Sequence, residues 1–146
     1  MNWPNNIQLK FTSKKEKSTT KKVLFHVRIM SSKKNDYSMG PFVSNKSGKF
    51  IIEKNEIKKS IRESKNKFPM DYASNLEECT GIEIQVDSIK TINSRLEKIE
   101  RFYPEKASDL RRKMKRNIEN NRVKDTKKKV SASELSEVVI VSLEVE

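Results

Sequence analysis

Apolar and polar residues alternate in some stretches of this chain and follow a helical step in others. Ile7, Leu9 and Phe11 alternate with Gln8, Lys10 and Thr12. A period of two places the apolar set on one face of a strand. In "VLFHVRIM" (23–30), Val23, Phe25, Val27 and Ile29 take one face, and Leu24, His26, Arg28 and Met30 the other. Residues 31–40 read as a loop. Phe42-Val43 and Phe50-Ile51-Ile52 flank Asn45-Lys46-Ser47-Gly48, the pattern of a hairpin in which Gly48 supplies a positive φ. Ile82, Ile84 and Val86 mark another strand, and Val139, Val141, Leu143 and Val145 mark one within 137–146.

The helical stretches lie between these strands. Ile57 and Ile61 share a face over 55–66, with Asn55 placed to cap it. Pro69 ends that helix by disfavouring helical backbone at Phe68. Asp87 or Ser88 can cap the next, where Ile89, Ile92, Leu96, Ile99 and Tyr103 recur at three- and four-residue steps (88–102). Pro104 suits the first turn of a further helix, 105–120, carrying Ala107, Leu110, Met114 and Ile118. Residues 13–22 and 120–134 are charged and lack periodicity, so they read as flexible loops. The predicted order is β-β-β-β-α-β-α-α-β. Strands grouped early and helices later imply an α+β, β-rich fold: an antiparallel β-sandwich with two inserted helices packed alongside.

Length supports one domain over 1–146, since 146 residues can bury a sizeable core. The composition is polar: 34% hydrophobic, 36% charged, net charge +12. Such values approach those of disordered chains, but the apolar residues are patterned, which a disordered tail does not require. Cys79 is the only cysteine, so no internal disulfide forms. The start of the chain lacks an apolar signal core, and no run approaches a membrane span. The expectation is a cytoplasmic protein with no membrane partner.

Ser47-Gly48-Lys49 invites comparison with a phosphate-binding loop. That loop needs G-x-x-x-x-G-K-[ST] opening a helix. Val43 stands at the first glycine position, Phe50 at the hydroxyl position, and a strand pattern follows. A turn is the better reading. With the strand "VLFHVRI" before it, "SGKFII" (47–52) resembles the turn of transthyretin-like and carboxypeptidase-regulatory-like domains. The similarity covers about residues 23–53, with Ser47 where those families place an acid. It implies a prealbumin-type β-sandwich acting as a binding or scaffold module rather than a catalyst. The matching positions build the fold, so no functional residue carries over.

Charge is uneven. Lys14, Lys15, Lys17, Lys21 and Lys22 crowd the first long connection. Arg111, Arg112, Lys115, Arg116, Lys127, Lys128 and Lys129 dominate 111–129, while 131–146 has acids and no Lys or Arg. These cations are the candidate contacts for a polyanion or an acidic partner. They also spread around the 105–121 helix as a solvated face would, and no aromatic interrupts 111–129 to stack a base.

Catalytic constellations are sparse. His26, the sole histidine, sits mid-strand without a partner implied by spacing. One His and one Cys cannot make a zinc site. Acidic neighbours oppose thiolate formation at Cys79. Glu77, Glu78, Glu83, Asp71 and Asp87 form a loose acidic group without a calcium-loop pattern. "FPMDY" (68–72) reads as a plug over one end of the core, and Trp3-Pro4 as an N-terminal anchor. No cofactor or metal is expected. The leading expectation is a non-catalytic interaction module, an adaptor, inhibitor or complex subunit, that recognises an acidic protein partner. A nucleic-acid binder using the basic loops and 105–129 is the alternative, and a small enzyme the third reading.

Overall fold

The computed structural model describes residues 3–13, 22–32 and 34–146. Strands β1 (Asn6–Ser13), β4 (Lys49–Glu53) and β7 (Val139–Leu143) form a three-stranded sheet in the order β4-β1-β7. Strands β2 (Leu24–Ser31), β3 (Tyr37–Val43), β5 (Cys79–Val86) and β6 (Thr126–Ser131) form a second sheet in the order β3-β2-β5-β6. All pairings are antiparallel except β1 with β7, which run parallel. The two sheets share one core. Ile7, Leu9, Phe11 and Val141 come from the first, and Phe25, Val27, Ile29, Ile82 and Ile84 from the second. The fold is therefore α+β, β-rich and sandwich-like. The rings of Phe11 and Phe25 meet across the sheets at 4.8 Å between centroids.

Helix α1 (Lys54–Lys67) follows β4 directly and sends Ile57 and Ile61 into that core. The residue flanking its N-terminus is Glu53, which makes no side-chain cap, so Asn55 lies within the first turn instead of capping it. Helices α2 (Ile89–Phe102) and α3 (Pro104–Met114) form a hairpin. Ile92, Leu96 and Met114 cover Leu24 in a small second core, with Val43, Leu110 and Ile118 at its margin. Ser88 caps α2 by accepting from the Thr91 N–H at 3.2 Å. Tyr103 is exposed at the α2–α3 junction and does not join the buried stripe. Helix α3 stops at Met114, short of the expected residue 120. Trp3 is buried in the main core, as an N-terminal anchor should be.

Three local expectations are corrected. The stretch 42–52 is no hairpin between paired strands. Strand β3 pairs with β2 and β4 with β1, so the turn carries the chain from one sheet to the other. Its inward rings, Phe42 and Phe50, meet across the gap at 5.1 Å. Residues 37–40 belong to β3 and not to a loop. Gly40-Pro41 masks that strand in the sequence, and β3 is an edge strand, where proline is tolerated. Within 120–134, Thr126–Ser131 forms β6. Lysine suits an exposed edge strand, and Lys127 and Lys129 face solvent beside Gln85 and Glu83. With Val130 alone fully buried, no alternation betrayed the strand. Most of the 13–22 connection lies outside the described residues, except that Ser13 ends β1 and Lys22 precedes β2.

Candidate partner-binding surface

The turn between the sheets is tightly organised. The Asn45 Oδ1 accepts from the N–H groups of Ser47 and Lys49, both at 2.9 Å. Gly48, at φ 75°, donates its N–H to the Asn45 carbonyl at 3.0 Å. Its own carbonyl accepts from the Phe11 N–H at 2.8 Å, tying the turn to β1. Lys49 opens a strand and no helix, and the backbone amides of Asn45, Ser47, Gly48 and Lys49 are turned to local bonds and not to a phosphate.

The same local bonding brings Lys22 to this turn. Buried Ser44 accepts the Val23 N–H at its Oγ (2.8 Å), and its N–H donates to the Val23 carbonyl (2.9 Å). On the other flank, Met114 and Ile118 pack with Leu24 and Val43 and so hold Asn117 close by. A groove of about 720 Å³ results. Val43, Phe50 and Ile51 form its apolar floor, and Lys22, Lys46, Lys49 and Asn117 its rim. A second cleft, of about 670 Å³, is lined by Arg112, Lys113, Lys115, Arg116, Asn117 and Glu119. Asn117 borders both clefts, so they form one basic surface.

Lys22, Lys46, Lys49, Lys113, Lys115 and Arg116 have no ion pair with any described residue. The other candidates are placed differently. Arg112 also borders the second cleft but pairs with Asp109 at 2.7 Å, and Arg111 pairs with Glu100 at 3.0 Å. Lys127, Lys128 and Lys129 lie on β6, the far edge of the four-stranded sheet from β3. Lys128 donates to the Ile140 carbonyl at 2.9 Å, joining the two sheets at that edge. Lys14, Lys15, Lys17 and Lys21 lie outside the described residues. Lys46, Lys49 and Asn117 were not singled out from sequence as contacts. The only signal was a pair of lysines astride a turn glycine, which by itself reads as surface charge.

The groups with catalytic potential are not assembled. Burial lowers the pKa of His26, a trend that Asp87 opposes and Arg95 reinforces. The Cys79 thiol is pushed up to about 11 by burial, then by Glu78 and Asp36. The acidic group disperses. Glu83 faces Arg28 at 3.6 Å, Asp87 binds Arg95 at 2.6 Å, and Glu78 accepts the Ser74 N–H at 2.9 Å. Among the described residues no cluster of His, Cys, Asp and Glu could hold a metal ion. In 68–72, Tyr72 packs on Tyr37, while Phe68 and Met70 stay exposed, so the segment plugs the core only in part. No helix among them is long and apolar enough to cross a membrane. No protein-family model, curated protein or solved structure matches the chain.

Proposed function

We propose that this protein is a non-catalytic interaction module that recognises an acidic protein partner through the basic surface centred on Asn117. One observation carries the reading: two clefts meet there, bordered by six cations that form no ion pair with any described residue. Glu119 is the one acid in the lining, so the surface carries a clear excess of positive charge, which attracts the opposite sign and speeds encounter. The prealbumin-like resemblance of residues 23–53 favours the same role, a scaffold that displays loops. Action in the cytoplasm is part of this proposal.

A poly-glutamate column tests it. The protein should be retained at low salt and released as ionic strength rises, because exposed charge pairs are screened over about 10 Å at 0.1 M. Lys46→Glu with Arg116→Glu should abolish retention. Lys127→Glu with Lys129→Glu, on the far sheet edge, should leave most of it. Tighter binding to duplex or single-stranded DNA than to poly-glutamate at equal salt would transfer the function to nucleic acid.

A further inference from the structure

The groove beside the inter-sheet turn differs from the second cleft in having an apolar floor. Ile51 is 55% exposed on the solvent side of β4. Val43 and Phe50 are half-buried beside it. Phe50 belongs to the aromatic cluster of the core, with its ring 5.1 Å from both Phe25 and Phe42. An apolar side chain lowered onto Val43 and Ile51 would leave water for an apolar contact, while Lys22, Lys46 and Lys49 stand around it.

We infer that this groove binds an acidic peptide segment carrying one large aliphatic side chain, seated on Val43 and Ile51 with carboxylates on either side of it. The inference rests on the acidic-partner reading and adds to it the apolar anchor that gives specificity. Charge complementarity fixes the flanking residues, and the floor fixes the central one. A nucleic acid suits the floor less well. Stacking a base requires an open aromatic face, whereas the one aromatic here is packed within the cluster. Residues 14–21, which lead to Lys22, hold Lys14, Lys15, Lys17 and Lys21 against Glu16, so they match the rim in sign and do not complement it.

The experiment uses the full chain and two fluorescent peptides at 0.15 M salt, Glu-Glu-Leu-Glu-Glu and Glu-Glu-Ser-Glu-Glu. The leucine peptide should bind about tenfold more tightly, as expected for burial of one aliphatic side chain. Ile51→Ser removes an exposed side chain. It should cut that preference to about twofold, an estimate for a floor that keeps Val43, and leave the serine peptide's affinity unchanged. Lys46→Glu with Lys49→Glu should weaken both peptides, with circular dichroism confirming that each variant folds. Equal affinity for the two peptides would overturn the groove inference while leaving the acidic-partner reading in place. Binding of neither peptide would overturn both. A single-stranded oligonucleotide of equal charge binding above both peptides would assign the surface to nucleic acid and overturn the inference.

Discussion

The side-chain amide of Asn121 pairs with both backbone groups of Leu24. Its Oδ1 accepts the Leu24 N–H at 2.9 Å, and its Nδ2 donates to the Leu24 carbonyl at 2.6 Å. The same Nδ2 donates to the Asp87 carbonyl at 3.1 Å. Asn121 is 1% exposed, so it acts as a one-residue strand closing the start of β2 and the end of β5. It also fixes the chain just after α3, and with it the position of Asn117 between the two clefts.

Asn121→Ala should therefore destabilise the fold by about 2–4 kcal/mol, because it orphans buried backbone groups as well as removing bonds. Urea unfolding would show a lower midpoint with an unchanged slope. A loss under about 0.5 kcal/mol would mean water replaces the amide and the closure is weaker than drawn. Asn121→Asp should also destabilise, since a carboxylate keeps the acceptor but cannot donate to either carbonyl.

Cys79 should resist thiol reagents in the native state at pH 8. Its thiol is buried and shifted up to about 11, and the thiolate is the reactive form. Because the folded value lies above the reference of 9.0, the neutral thiol stabilises the fold. That contribution is complete below about pH 9 and declines as pH rises toward about 11. Burial raises Tyr37 too, and its hydroxyl donates to the Ile57 carbonyl, so it acts in the same direction. Ellman's reagent provides the check. Modification at native conditions as fast as in urea would contradict the buried placement.

How legible these features were depended on how local their causes are. The inward faces of β1, β2, β5 and β7 follow from alternation because every second residue of each strand enters the main core; that β5 also buries Glu83 and Gln85 on its other face, and β2 Leu24 under the helices, does not show in the pattern. Ile92 and Leu96 on α2 likewise follow from helical period. By contrast, β6 carries lysines where an alternating strand would carry apolar residues, and its identity depends on Gly81 and Glu83 in another strand. The sheet change at Asn45–Lys49 was equally hidden, since the same turn can close a hairpin or cross between sheets. The groove needed Lys22, Lys46, Lys49 and Asn117 together, and Asn117 arrives there only through helix packing on Leu24 and Val43.

Acid should weaken the fold in part through His26. Its pKa is depressed from 6.5 by burial, with Arg95 adding to the effect and Asp87 working against it. A depressed folded value means the unfolded chain takes up the proton more readily. The stabilisation is present above pH 6.5 and is lost as pH falls through the lower folded value. His26→Gln should flatten the stability profile between pH 7 and 5 relative to the parent. An imidazole titration by NMR with a midpoint at or above 6.5 would refute the proposed sign.

At Gly81 the backbone of β6 lies close against β5. A Cβ there would stand 2.2 Å from the Val130 carbonyl oxygen and 2.9 Å from the Ser131 Cα, both backbone atoms. Backbone cannot swing aside as a flexible side chain can, so Gly81→Ala must push β6 away. The register pairs Gly81 with Ser131 and Ile82 with Val130, so the shift would open the contact that seats Val130 in the core. We expect a loss of about 3 kcal/mol, in the range of overpacking against rigid neighbours. Hydrogen exchange should locate it, with protection falling first at 126–131 while β1 and β2 keep theirs, since edge strands open before central ones. If Gly81→Ala unfolds the whole chain, exchange in the milder Val130→Ala variant becomes the readout. Val130→Ala leaves the backbone approach intact, and it should cost less than Gly81→Ala. Retention of full protection at 126–131 in Gly81→Ala would show that β6 does not pair with β5 in this register.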